Sequence, residues 1–140
     1  MIAVLDTNHF TELVRQSAAG ARLLQRLRER EATAFTTIVN AQEITEGWCA
    51  CINRLRAGEA QVRAYAQFKN SLHLLMELSL LDFDAEAAVH FHRLQSSRLR
   101  IGTMDLKIAA VCLAHDSLLL SRNLRDFTPI PGLRVENWLD

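Results

Sequence analysis

The short apolar stretches of this chain do not alternate with polar residues. Ile2-Ala-Val-Leu5 is apolar throughout, and Ser117-Leu-Leu-Leu-Ser121 encloses three leucines in a row. A strand that is apolar on both faces has to be covered on both, which a sheet with one wet side does not provide. Further strands are expected over Ala34–Ile38 and about Leu80–Phe83, with a fifth over Leu133–Glu136 after the turn residues Pro129, Pro131 and Gly132. Helical spacing fills the intervals: His9–Gln16, Ala21–Arg30, Ala41–Leu55, a longer helix from Val62 through Met76, Ala85–Gln95 and Leu106–Ala114. Strands alternating with helices give an α/β fold with a mainly parallel sheet of four or five strands, covered on both faces.

Several details follow from the same pattern. Ile44, Trp48, Ile52 and Leu55 recur at spacings of three and four and form one apolar stripe, which Gly58 terminates. Asp84 is placed to cap the helix after it, on which Ala88, His92 and Gln95 share a face. Leu106–Ala114 is apolar on nearly every side and is expected to be a core helix. At 140 residues the chain is read as one domain, residues 1–140, able to bury roughly 68% of the surface its unfolded form exposes. The three cysteines, Cys49, Cys51 and Cys112, are read as buried small hydrophobes in a reducing compartment. No apolar run approaches the ~18 residues of a membrane span. No basic region precedes the first apolar stretch, so the expected location is the cytoplasm.

In parallel α/β folds ligands bind beyond the carboxyl ends of the strands. Asp6 stands where the first strand ends, Glu43 opens the helix after the second, and Asp105 opens the helix before the fourth. Each has a local explanation: Asn40-Ala-Gln-Glu43 fits a capping box, Asp105 complements a helix N-terminus after Gly102-Thr103, and Asn8 fits a cap. Brought to one sheet edge, however, the three carboxylates would repel strongly at neutral pH, and a divalent cation would relieve that repulsion.

These segments resemble the successive motifs of PIN-domain ribonucleases, and within them the VapC-type toxins of bacterial toxin–antitoxin pairs. The matching stretches are "LDTN" at Leu5–Asn8, "TTIVNAQEITEG" with Glu43 and Gly47, "RIGTMDLKIAA" with Asp105, and "LLLSRNLRDFTPIPGLRVENW" near the C-terminus. The resemblance spans essentially the whole chain. It implies a three-layer α/β/α sandwich, RNA as substrate, an antitoxin protein and a second copy of the chain as partners, and a Mg²⁺ or Mn²⁺ site with Asp6, Glu43 and Asp105 as ligands and catalytic residues. Thr7, Asn8 and Ser121 match the polar support around it. At the fourth site position, often an acid, this chain offers Asn123 with Asp126 close behind.

Lys+Arg and Asp+Glu both number 16, so net charge gives no general attraction to nucleic acid and any such contact has to be local. All the basic residues but Lys69 and Lys107 are arginine, the side chain best shaped for bidentate phosphate contact. Arg98 and Arg100 precede Asp105, and Arg122 and Arg125 bracket Asn123; these four are the candidate phosphate contacts. The five histidines read as structural, and Trp48 and Tyr65 as packing residues with base stacking as the alternative. Two other functions fit parts of the pattern. A catalytically silent relative would bind RNA or protein without cutting. An aspartyl-phosphate receiver or phosphotransfer domain would need a second early acid and an opposing lysine, and both lysines fall inside expected helices.

Overall fold

The computed structural model describes residues 1–140. Its five strands are β1 (Ile2–Leu5), β2 (Thr33–Thr37), β3 (Ser79–Leu81), β4 (Leu118–Leu120) and β5 (Arg134–Glu136). They form one sheet in the order β3-β2-β1-β4-β5, with every neighbouring pair parallel. Seven helices accompany it: α1 (Thr7–Arg15), α2 (Ala18–Glu29), α3 (Ile38–Arg54), α4 (Val62–Glu77), α5 (Ala85–Ser96), α6 (Thr103–Ala114) and the single turn α7 (Leu124–Phe127). No helix is long and apolar enough to cross a membrane.

The unbroken apolarity of the central strands has the expected consequence. Ala3 and Leu5 of β1 and Leu118 and Leu120 of β4 face one core, with residues of α1, α2, α3 and α4. Val4 and Leu119 face the other, with α5, α6 and α7. Leu106 and the run Ile108–Cys112 are all buried, so α6 is the core helix its composition demands. The sandwich is therefore α/β/α. The chain builds outward from β1 through β2 to β3, then crosses back to lay β4 on the other side of β1. The crevice between the carboxyl ends of β1 and β4 is the reversal point of the sheet, the usual ligand position in such folds.

Element boundaries differ from the sequence expectation in instructive places. α1 starts at Thr7 rather than His9, because Asp6 takes the N-cap backbone position. α2 starts at Ala18, where the Ser17 hydroxyl accepts from the Gly20 amide at 3.0 Å. Gly20 lies so close to the end of α1 that a Cβ there would stand 2.3 Å from the Glu12 carbonyl oxygen. Ile38 belongs to α3 and not to β2: the Thr37 side chain caps the helix by accepting from the Asn40 amide. The capping box expected at Asn40 and Glu43 is therefore absent. On α5 the buried positions are Ala87 and Leu94, whereas His92 and Gln95 are exposed. Asp84 caps that helix as expected, accepting from the Ala87 amide at 2.9 Å. Of the cysteines only Cys112 is buried; Cys49 is exposed and Cys51 half-buried.

Candidate metal centre

Asp6 ends β1 with its backbone amide still held in the sheet by the Leu120 carbonyl at 2.9 Å. An N-cap aspartate ordinarily accepts from an amide of its own helix, but this side chain makes no cap bond. It turns instead across the strand ends. Oδ1 accepts from Asn40 Nδ2 at 3.0 Å, and Oδ2 accepts from Ser121 Oγ at 2.8 Å. The carboxylate is 7% exposed and Asn40 and Ser121 are fully buried, so α3 and the end of β4 fix its orientation.

The expected support residues thus divide. Ser121 holds Asp6, and its hydroxyl also accepts from the Asn123 amide at 3.0 Å, which ties the segment after β4 to the same point. Thr7 supports Glu43, its hydroxyl donating to Glu43 Oε1. Asn8 is exposed and supplies neither hydrogen bond to Asp6; one residue further along the first turn of α1, its side chain has rotated out to solvent. The amide that does the work expected of Asn8 is Asn40, absent from the sequence expectation as a site residue. Thr37 Oγ donates to Asn40 Oδ1 at 2.7 Å, so Asn40 presents its NH₂ to Asp6. The signal that could have found it was an amide in a helix-opening segment three residues after a threonine able to cap.

Asp105, in the first turn of α6, faces the same crevice and is half-buried. Its pKa is raised from 3.8 to about 6, first by burial and then by the negative charges of Asp6, Glu43 and Asp126; a hydrogen bond from Asn123 opposes the rise. Asn123 Nδ2 lies 3.4 Å from Asp105 Oδ2 and 3.0 Å from Asp126 Oδ2. Asn123 thus stands between Asp105 and Asp126, with α7 turning Asp126 back towards it. Asp126 makes no ion pair with Arg122 or Arg125.

None of Asp6, Glu43, Asp105 and Asp126 takes part in an ion pair. Three acids raise the proton affinity of the fourth and none of the four makes an ion pair, so their negative charge is left uncompensated. Their donors are all oxygen, the preference of hard divalent cations such as Mg²⁺ and Mn²⁺. Oxygen donors suit such an ion, but no three acidic, histidine or cysteine side chains stand close enough together to hold one as they lie.

The four candidate arginines differ. Arg98, in a left-handed backbone conformation, Arg100 and Arg125 are exposed and carry no ion pair. Arg122 is engaged, with Nε 3.4 Å from Asp140 and Nη1 3.9 Å from Glu12. His9, fully buried, accepts from the Trp138 amide through Nε2 at 3.1 Å, which is the structural role expected of it.

A family model described as the PIN domain matches residues 3–132. A tRNA(fMet)-specific endonuclease VapC of Salmonella typhimurium is 34% identical over 68 residues, covering 46% of this chain and 52% of that protein, so the match spans about half the length of either. Ribonuclease VapC2 of Rickettsia felis is 27% identical over 144 residues, 99% of this chain and 98% of that one. Among solved structures, VapBC-5 of Mycobacterium tuberculosis, a member of the VapBC family of toxin-antitoxin systems, superposes with a TM-score of 0.64 at 26% identity, covering 97% of this chain and 96% of the other.

Proposed function

The chain belongs to the PIN-domain family, and on that premise we propose that it is a divalent-metal-dependent endoribonuclease of the cytoplasm, the toxin of a toxin–antitoxin pair, with residues 1–140 as one nuclease domain. The observation that carries the reading is the uncompensated acid cluster at the β1/β4 crevice, in which Asp105 is pushed up to about 6 by Asp6, Glu43 and Asp126. Asp6, Glu43 and Asp105 are the residues to hold Mg²⁺ or Mn²⁺, with Asn123 or Asp126 at the fourth position. When bound, the ion supplies a water of lowered pKa and positive charge for the oxyanion that develops on the phosphate.

The protein's own contributions follow from the hydrogen bonds. Asn40 and Ser121 fix Asp6 in one orientation, so the first ligand costs no reorganisation. Glu43, steadied by Thr7 and half-exposed, is placed to orient the attacking water and accept its proton. Asn123 donates to both Asp105 and Asp126, and holds two like charges together that would otherwise separate. Arg98, Arg100 and Arg125, free of acidic partners, are the side chains to receive RNA phosphates; Arg122 must first leave Asp140 and Glu12.

Two protein partners complete the reading: an antitoxin, supported by the toxin–antitoxin membership of the Mycobacterium relative, and a second copy of the chain. Val62, Tyr65, Leu72 and Met76 lie exposed along α4, an apolar face suited to a protein surface.

The test is RNA cleavage by the purified protein. Cleavage in Mg²⁺ or Mn²⁺, abolished by EDTA and reduced at least 100-fold in Asp105→Asn with its fold retained, is expected. Cleavage that persists in either case would refute the assignment of the centre, and no cleavage of any RNA by the intact protein would favour a silent binding module.

A further inference from the structure

A cleft of about 320 Å³ opens directly from the acid cluster between α1 and α3, lined by Thr7, Thr11, Arg15, Glu43, Trp48 and Cys51. It shares Thr11, Arg15 and Trp48 with a second recess of about 170 Å³, whose far wall is built from Gln67, Asn70 and Ser71 of α4. The first alone falls in the range of small-molecule sites, roughly 300–1,000 Å³.

Trp48 is fixed at the junction of the two. It is half-buried, and its indole N–H donates to the buried Ser71 hydroxyl at 3.1 Å. Packing explains the buried part of the ring. It does not explain why the remainder lines a groove that begins at Glu43. Arg15, on the opposite wall, has a side chain 69% exposed and only a loose contact with Glu12 at 3.7 Å. A fixed aromatic surface, an exposed guanidinium and, deeper in, amides and a hydroxyl are the groups that take a nucleobase, a phosphate and a base edge. An apolar protein segment would cover Arg15 and Thr11 without giving them partners, and the exposed apolar residues suited to such a segment lie elsewhere, along α4.

We propose that this groove is the subsite for a nucleotide flanking the scissile phosphate, its base stacked on Trp48 and its phosphate paired with Arg15. The proposal rests on the ribonuclease reading and adds to it the direction in which single-stranded RNA leaves the acid cluster: past Thr7 and Glu43 along the α1–α3 boundary. Stacking tolerates any base, so the subsite contributes affinity and placement, and Gln67 and Asn70 supply what base preference it has.

The probe is a mixed-sequence single-stranded RNA octamer with phosphorothioate linkages to slow cleavage, titrated in Mg²⁺ and followed both by anisotropy of an end label and by tryptophan emission. Trp138 is buried, so quenching reports on Trp48. Binding is expected to quench the wild-type emission and to leave that of Trp48→Phe unchanged. Trp48→Leu should weaken binding roughly 5- to 100-fold, the range of one lost base stack. Trp48→Phe should retain most of the affinity, and Arg15→Gln, at an exposed position, should weaken binding several-fold with a shallower salt dependence. An octamer that binds without quenching, and as tightly to Trp48→Leu and Arg15→Gln as to wild type, overturns the subsite and leaves the ribonuclease reading intact. The same result with loss of a bound partner protein in those variants makes the groove a protein-docking surface. An intact protein that neither binds nor cuts any RNA overturns both readings.

Discussion

At the scale of single residues, Asp105 and His9 are held away from their ordinary protonation behaviour, both chiefly by burial and in opposite senses. Asp105 binds its proton more tightly folded, near pH 6, than unfolded, near 3.8. Its charge therefore opposes folding, increasingly as pH rises from about 4 to about 6 and fully above that. Asp105→Asn should accordingly raise the stability of the metal-free protein at pH 7 by about 1–2 kcal/mol after allowance for solvent screening, with the gain vanishing towards pH 4. Thermal melts in EDTA at several pH values check this; an unchanged or lower melting point at pH 7 would mean that the carboxylate is needed for capping α6. His9 is the reverse case. Burial, with help from Arg122, lowers its pKa from 6.5 to about 4. The stability it lends is complete above pH 6.5 and is lost as pH falls towards 4, because the unfolded chain takes up a proton that the folded one resists. His9→Gln, which can still accept from the Trp138 amide, should flatten the stability profile between pH 6.5 and 4. The acids were legible because a carboxylate behind an apolar strand is a local anomaly. Asn40 was not, because an amide at a helix start has an ordinary explanation and only the tertiary structure shows Asp6 beside it.

The elements show where such ordinary explanations fail. Thr36-Thr37-Ile38-Val39 is β-branched throughout, and intrinsic preference carries a strand through Ile38. The chain nevertheless turns into α3 at that residue, because Thr37 caps the helix while Thr36 donates to the Leu5 carbonyl of β1 at 2.7 Å. Two adjacent hydroxyls, one facing the sheet and the other the helix, set the boundary. Moving it by one residue would rotate Asn40 and Glu43 away from Asp6. Thr37→Ala should therefore cost about 1–2 kcal/mol of stability and reduce cleavage as well, since it also releases Asn40 Oδ1. Thr37→Ser should restore both. Equilibrium unfolding together with cleavage in Mg²⁺ separates the cases, and loss of stability without loss of activity would confine Thr37 to capping. The strands and the core helix α6 were readable because their apolarity has one structural solution. The α5 face was misread because small and half-polar residues carry too weak a periodicity to choose between neighbouring rotations.

For the molecule as a whole, zero net charge hides a crevice whose four acids have no ion-pair partner and exposed arginines that have none either. If Arg98, Arg100 and Arg125 receive phosphates, the salt slope of RNA binding should fall by about 0.7 for each one replaced by glutamine. Arg122→Gln should change it less, because Asp140 and Glu12 already neutralise that guanidinium. Filter binding between 50 and 200 mM salt, expressed as a log–log slope, decides; equal slopes for all four variants would remove the distinction. The position of β1 in the middle of the sheet has one more outcome, and it concerns time. Asp6 precedes its hydroxyl partner at the end of β4 by 115 residues, and Asn123 and Asp126 come later still. At roughly 5–20 residues per second, several seconds or more of translation separate the first acid from the segment that completes its surroundings. Throughout that interval the nascent chain carries Asp6 without the partners that orient it, so the acid cluster assembles only after β4 and α7 have been made.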